Sequence, residues 1–133
     1  PFIERYTGIS GAMVATAPTF AEVREELSRR LSGRLLVAHN AGFDYGFLQQ
    51  EFARLRHPFA VRRLCTVQLS RRLFPAERRH GLDAVIARHG LCCDRRHRAL
   101  GDARVLWDFV RTLYRDLPRE AVDGAARAVL KAA

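Results

Sequence analysis

The sequence is nearly free of lysine: of its 23 basic side chains only Lys131 is one, so 22 are arginines. It is also poor in cysteine, with Cys65, Cys92 and Cys93, and has one methionine, Met13, and one tryptophan, Trp107. Three thiols, two of them sequence neighbours whose geometry disfavours pairing with each other, do not make a disulfide framework, and a reducing compartment is expected. His89, Cys92, Cys93 and His97 lack the separated Cys and His pairs of structural zinc sites, which argues against zinc. No apolar run approaches the roughly 18–20 residues of a membrane span, and no charged-then-apolar leader opens the chain. A soluble, cytoplasmic protein without a membrane partner is the expectation. The chain starts at Pro1 rather than at a methionine, and a missing N-terminal part is expected from that.

What is present describes an ordinary globular chain. Its 133 residues fit one domain, and 48% hydrophobic with 28% charged residues can bury a core. The formal net charge is +9, with a pI near 10.9. Arginines come in pairs, at Arg29-Arg30, Arg62-Arg63, Arg71-Arg72, Arg78-Arg79 and Arg95-Arg96. A genome that prefers arginine codons explains the ratio of arginine to lysine. It does not explain the surplus of charge, which favours a polyanionic partner, most simply nucleic acid.

Residues 1–18 are rich in Gly, Thr, Ser and Pro and read as loop or short turns. Thr19 and Glu22 form a capping box, T-x-x-E, and Phe20, Val23, Leu27 and Leu31 follow at helical spacing until Gly33. Leu35-Leu36-Val37-Ala38 is a continuous apolar run, expected as a strand buried on both faces. It leads into His39-Asn40-Ala41-Gly42-Phe43-Asp44, and Phe47, Leu48, Phe52 and Leu55 then mark a helix. Residues 61–65 read as a second strand, with Thr66 capping a short helix that ends near Pro75. A helix over 82–89 closes at Gly90, and a polar loop around Asp94, Arg95 and Arg96 follows. A long helix over 100–114 is expected to bury Ala103, Leu106, Trp107, Val110, Leu113 and Tyr114, and an Ala-rich tail forms a last one. Alternating strands and helices predict an α/β layer structure. Two strands cannot cover so many amphipathic helices, so part of the sheet is expected to be missing.

Three residues carry candidate chemistry. Asp44 stands where a strand ends and a helix begins, the place where ligands of open α/β sheets gather, although an aspartate there is commonly a helix cap. Asp102 falls at the edge of a buried helix face, where a carboxylate is costly unless paired, hydrogen-bonded or bound to a cation. His97, five positions earlier, sits near it, and an imidazole can serve as a general base, although a solvated loop histidine is the commoner case.

Taken in order, H-N-x-x-F-D and H-x-A-x-x-D-A resemble the second and third motifs of the DEDDh (DnaQ-like) 3′–5′ exonuclease family. That family includes the proofreading epsilon subunit of bacterial DNA polymerase III and ribonuclease T. Thr7-Gly8-Ile9, Cys65-Thr66 through Leu69, Leu73-Phe74-Pro75 and the 82–90 helix are similar to further segments of the family. The resemblance implies a ribonuclease H-like exonuclease fold, here lacking its N-terminal strands, as one incomplete domain over 1–133. It implies a two-ion Mg²⁺ or Mn²⁺ site with Asp44 and Asp102 among four carboxylate ligands and His97 as the catalytic base. His39 and Asn40 are expected to support the strand end, with Phe43 packed beneath it. The family's first motif, D-x-E, has no match, Glu4 being the nearest acid, so the chain alone is expected to be inactive or nearly so. The implied substrate is the single-stranded 3′ end of DNA, cleaved to nucleoside 5′-monophosphates in proofreading or repair, with DNA polymerase subunits as possible partners. The alternatives are a non-catalytic nucleic-acid-binding remnant and an RNA-trimming exoribonuclease.

Overall fold

The computed structural model describes residues 2–93 and 97–133, so the loop expected around Asp94, Arg95 and Arg96 lies outside the described residues. The two expected strands form with one helix between them, but helices run consecutively before the first strand and after the second. The order is α1 (Phe2–Thr7), α2 (Gly11–Val14), α3 (Phe20–Leu31), β1 (Leu35–Ala38), α4 (Ala41–Arg54), β2 (Arg62–Cys65), α5 (Thr66–Leu73), α6 (Leu82–His89), α7 (Ala99–Asp116) and α8 (Arg119–Val129).

The opening segment is not the loop its composition predicts. It holds α1 and α2, and Glu4 lies in the first turn of a helix. The polar residues that read as loop formers are instead boundary residues. The Thr7 hydroxyl donates to the Ile3 carbonyl at 2.8 Å and accepts from the Ile9 amide at 3.1 Å. Gly8 takes φ +67, and the Ser10 hydroxyl caps α2 by accepting from the Met13 amide at 3.3 Å. The capping box of α3 forms as predicted, with Thr19 and Glu22 bonded reciprocally.

β1 and β2 pair in parallel, with Leu36 opposite Arg63 and Ala38 opposite Cys65. On the far side of β2 the tail adds an antiparallel bridge, in which Arg63 and Lys131 exchange amide-to-carbonyl bonds of 3.0 and 2.9 Å. Among the described residues no strand covers the other edge of β1. The expected burial on both faces therefore fails: Leu35 and Val37 are each 39% exposed, while Leu36 and Ala38 are partly covered.

The main core lies where α5, α6, α7 and α8 meet β2 and holds Leu64, Leu69, Val85, Phe109, Leu113 and Val122. Each such side chain contributes roughly 1.5–3 kcal/mol on burial. A separate aromatic stack joins α3 to α4: Phe52 meets Phe20 edge-on at 5.1 Å and stacks on Phe59 at 4.5 Å.

The stripe predicted for α7 is rotated from the observed one. Val105, Leu106, Phe109, Thr112 and Leu113 are buried, whereas Trp107 is 64% and Tyr114 41% exposed. Packing on α6 and α8 selects the buried face. Trp107, Ala103 and Val110 instead line, with Val37, a small cavity of about 170 Å³ at the open side of the sheet. Tyr114 donates its hydroxyl to Asp123 of α8 at 2.6 Å.

Candidate active site

A cleft of about 680 Å³ lies at the C-terminal end of β1, and Asp44, His97 and Asp102 all line it, together with His39, Phe43 and Phe47. The two aspartates occupy matching places. Asp44 follows the N-cap residue of α4, Asn40, by four positions, and Asp102 follows the N-cap residue of α7, Arg98, by four. Neither cap residue makes a side-chain capping bond. The positive ends of two helix dipoles thus flank the cleft and favour negative groups in it.

Asp44 is not itself the helix cap. Asn40 takes a left-handed conformation, φ 71 and ψ 48, which turns the chain from β1 into α4 within two residues and places Asp44 inside the first turn. Although the residue as a whole is open to solvent, partial burial of its carboxyl pushes the pKa above the ordinary value of 3.8 and outweighs the opposing bond from its own backbone amide. Asp102 is half-buried, and its amide donates to the Arg98 carbonyl at 2.9 Å, closing the first turn of α7.

His39 supports the strand end. Its Nδ1 lies 2.9 Å from the Thr66 hydroxyl, which in turn lies 3.3 Å from the Ala38 carbonyl. The carbonyl can only accept, so Thr66 donates to it and receives the Nδ1 proton of His39, which assigns the tautomer. Thr66 therefore ties β1 to α5 and does not cap α5, whose cap residue is Cys65. Phe43, expected beneath the strand end, is 64% exposed, and its ring meets that of Phe47, 56% exposed, at 4.8 Å. The i, i+4 spacing of these phenylalanines was the readable signal that both share the Asp44 side of α4.

His97 adopts φ 63, a left-handed conformation uncommon outside glycine. Two contacts from the opening segment hold it there, neither foreseen from the sequence. The Tyr6 ring packs on the imidazole, and Arg98 donates from Nη2 to the Gly8 carbonyl at 3.0 Å.

The pattern of the RNase T family, described as exonuclease, matches residues 1–110. The chain belongs to that exonuclease family. It is 44% identical over 97 residues to a DNA polymerase III subunit epsilon-like protein of Rhodobacter capsulatus, covering 71% of this chain and 14% of that one. It is 33% identical over 104 residues to the 3′-5′ exonuclease DinG of Staphylococcus haemolyticus, covering 77% of this chain and 12% of that one. It is 36% identical over 112 residues to the DNA polymerase III subunit epsilon of Pasteurella multocida, covering 80% of this chain and 44% of that one. The chain thus spans less than half the length of these relatives. Its mixture of helices with a small parallel sheet agrees with an α/β, ribonuclease H-like exonuclease fold.

Exonucleases of this kind generally use divalent metals, and hard carboxylate oxygens such as those of Asp44 and Asp102 suit Mg²⁺ or Mn²⁺. Among the described residues, however, no group of three or more His, Cys, Asp or Glu side chains is placed to hold a metal ion. The cleft fits part of such a site. It supplies two carboxylates, one of them raised in pKa by burial that a cation would relieve. No helix among the described residues is long and apolar enough to cross a membrane.

Proposed function

We propose that the cleft is the site of 3′–5′ exonucleolysis on DNA, releasing nucleoside 5′-monophosphates from a single-stranded 3′ end. The observation that carries this reading is the meeting of Asp44, His97 and Asp102, from two motifs more than fifty residues apart, in one cleft. The DNA polymerase III epsilon names of two relatives favour DNA over RNA and a polymerase subunit as partner, which suits proofreading or repair, and the 3′-5′ exonuclease name of a third favours the polarity.

Asp44 and Asp102 would hold a Mg²⁺ or Mn²⁺ ion, whose chemistry is to activate water and neutralise charge at the scissile phosphate. His97 takes the proton of the attacking water, a task suited to an imidazole near neutral pH. The two helix N-termini favour the phosphate's negative charge. Phe43 and Phe47 offer the terminal base a stacking surface.

Two carboxylates make half of the ligand set that the family resemblance implies. The 133 residues alone are therefore expected to be inactive or nearly so, with turnover requiring two further carboxylates. The test compares Mg²⁺-dependent stepwise shortening of a 5′-labelled single strand by this chain and by a version joined to a preceding strand bearing D-x-E. Turnover should appear in the longer version and vanish in its Asp102→Ala variant. Undiminished turnover in that variant would sink the assignment. An inactive longer version that still binds single strands would favour the non-catalytic reading.

A further inference from the structure

The charge surplus of this protein is concentrated. Between Phe52 and Leu82 the chain carries eight arginines against one acid, Glu77, so this stretch alone holds seven of the nine net charges. Elsewhere many arginines lie beside carboxylates: Arg29 and Arg30 on Glu26, Arg111 on Asp108, Arg115 on Asp116. Arg71, Arg72, Arg78 and Arg79 are exposed and, among the described residues, make no ion pair. Arg71 and Arg72 suit the C-terminal end of α5, where cations are favoured. That reason does not reach Arg78 and Arg79, which stand in the α5–α6 loop.

This loop is fixed from within. His80 is buried, with Nε2 donating to the Glu77 carbonyl at 3.0 Å, so that Nδ1 accepts from the Ser70 hydroxyl at 2.9 Å. Arg88 reaches from α6 to donate to the Ser70 hydroxyl at 3.3 Å and to the Arg79 carbonyl at 2.5 Å, and its guanidinium lies 5.5 Å from the Phe74 ring centre. The backbone beneath Arg78 and Arg79 is therefore ordered before any ligand arrives, which lowers the cost of binding. These two arginines line a shallow depression of about 700 Å³ together with three alanines and the Glu77–Arg88 ion pair, whose 3.4 Å contact offsets the one carboxylate there. It has guanidinium groups for phosphate oxygens, and no large apolar side chain to enter a lipid surface. Only His80 and Gly81 separate Arg79 from Leu82, which lines the cleft, so the two Cα atoms are at most about 11 Å apart.

We propose that Arg71, Arg72, Arg78 and Arg79 form a track that grips the sugar–phosphate backbone of a nucleic acid strand whose end enters the cleft. The proposal rests on the exonuclease reading for the identity of the polyanion, but not on turnover. Its test is therefore made without catalysis, by fluorescence anisotropy of a labelled single-stranded oligonucleotide in EDTA across a range of NaCl concentrations. One variant carries Arg71→Gln, Arg72→Gln, Arg78→Gln and Arg79→Gln. A control carries Arg29→Gln, Arg30→Gln, Arg111→Gln and Arg115→Gln, with the same loss of net charge. The track variant should lose at least about tenfold in affinity, and its slope of log K against log salt should fall by roughly 3, from about 0.7 per lost phosphate contact. The control should lose far less. Equal losses in both would mean that net charge alone acts, and unchanged binding by the track variant would also overturn the proposal. So would loss of binding to phosphatidylserine vesicles with oligonucleotide binding intact. Melting curves confirm folding, and if the fourfold variant does not fold, the Arg71/Arg72 and Arg78/Arg79 pairs are changed separately. A chain that binds as expected yet never cleaves, even when joined to D-x-E, would fail the catalytic reading and leave the track standing.

Discussion

The ring of Tyr6 lies against the imidazole of His97, their centroids 4.0 Å apart and their planes tilted by 41°. A left-handed backbone at a residue other than glycine costs of order 1–3 kcal/mol and persists only where the surroundings over-determine it. At His97 those surroundings are the α1 helix and the Gly8 carbonyl held by Arg98. The T-G-I segment thus has a mechanical role, holding the third motif against the cleft.

Tyr6→Ala should loosen His97 without touching the carboxylates. By NMR, the His97 ring protons should lose the ring-current shift of the adjacent tyrosine, and in an active form kcat should fall while KM changes little. Tyr6→Phe, which keeps the ring, should behave as the parent protein. A His97 spectrum unchanged in Tyr6→Ala would count against this positioning role.

Asp44 gives a prediction about stability with a definite sign. Burial raises its folded pKa above the ordinary value, so the ionised carboxylate costs stability at neutral pH, and that cost disappears as the group protonates in acid. Asp44→Asn should therefore melt higher than the parent at pH 7 without metal, with the gap closing below about pH 4, near the aspartate's unperturbed range. Added Mg²⁺ should stabilise the parent more than the variant, because binding to the folded state is linked to stability. A variant that melts lower at pH 7 would contradict the assigned cost of burying this carboxylate.

Much of this could be read from the sequence because its signals are local. The Thr19 capping box, the Gly90 stop and the passage from strand to helix before Asp44 depend on residues within a few positions, and the structure follows each. What failed depends on what lies across the fold. Trp107 and Phe109 are two residues apart on an apolar helix, and only the packing of α6 and α8 decides that Phe109 goes inside. Leu35 and Val37 read as buried because their sequence is apolar, but the neighbour they require is absent among the described residues. The site shows the same division: Asp44, His97 and Asp102 stand in recognisable strings, whereas Tyr6 reaches His97 from ninety-one positions away.

His89 should make the fold sensitive to mild acid. Its ring lies between Phe74 and Phe109, 5.1 Å from each, and its Nε2 is buried without a hydrogen-bond partner. Burial first, and then the charge of Arg88, push its pKa below the ordinary 6.5. The unfolded chain therefore takes up this proton at a higher pH than the folded one, and stability falls as pH drops through about 6.5. Urea unfolding at pH 7.5 and 5.5 should show that loss in the parent and a smaller one in His89→Leu. An equal loss in both would place the acid sensitivity elsewhere.

The exposed Phe43–Phe47 pair predicts how the cleft holds a strand. Both rings line the cleft beside Asp44, with most of their surface open to solvent. Removing them should therefore leave stability nearly unchanged, whereas truncating Phe109 in the core should cost about 3–5 kcal/mol. Stacking a base on an aromatic ring is worth about 1–3 kcal/mol, so Phe43→Ala should weaken single-strand binding by roughly 5- to 150-fold in EDTA. Because the lost contact is uncharged, the salt dependence of binding should stay as it was, unlike that of the arginine track variant. A Phe43→Ala protein that binds as tightly as the parent would show that bases do not stack there, and a changed salt slope would show that the substitution had disturbed the charged surface instead.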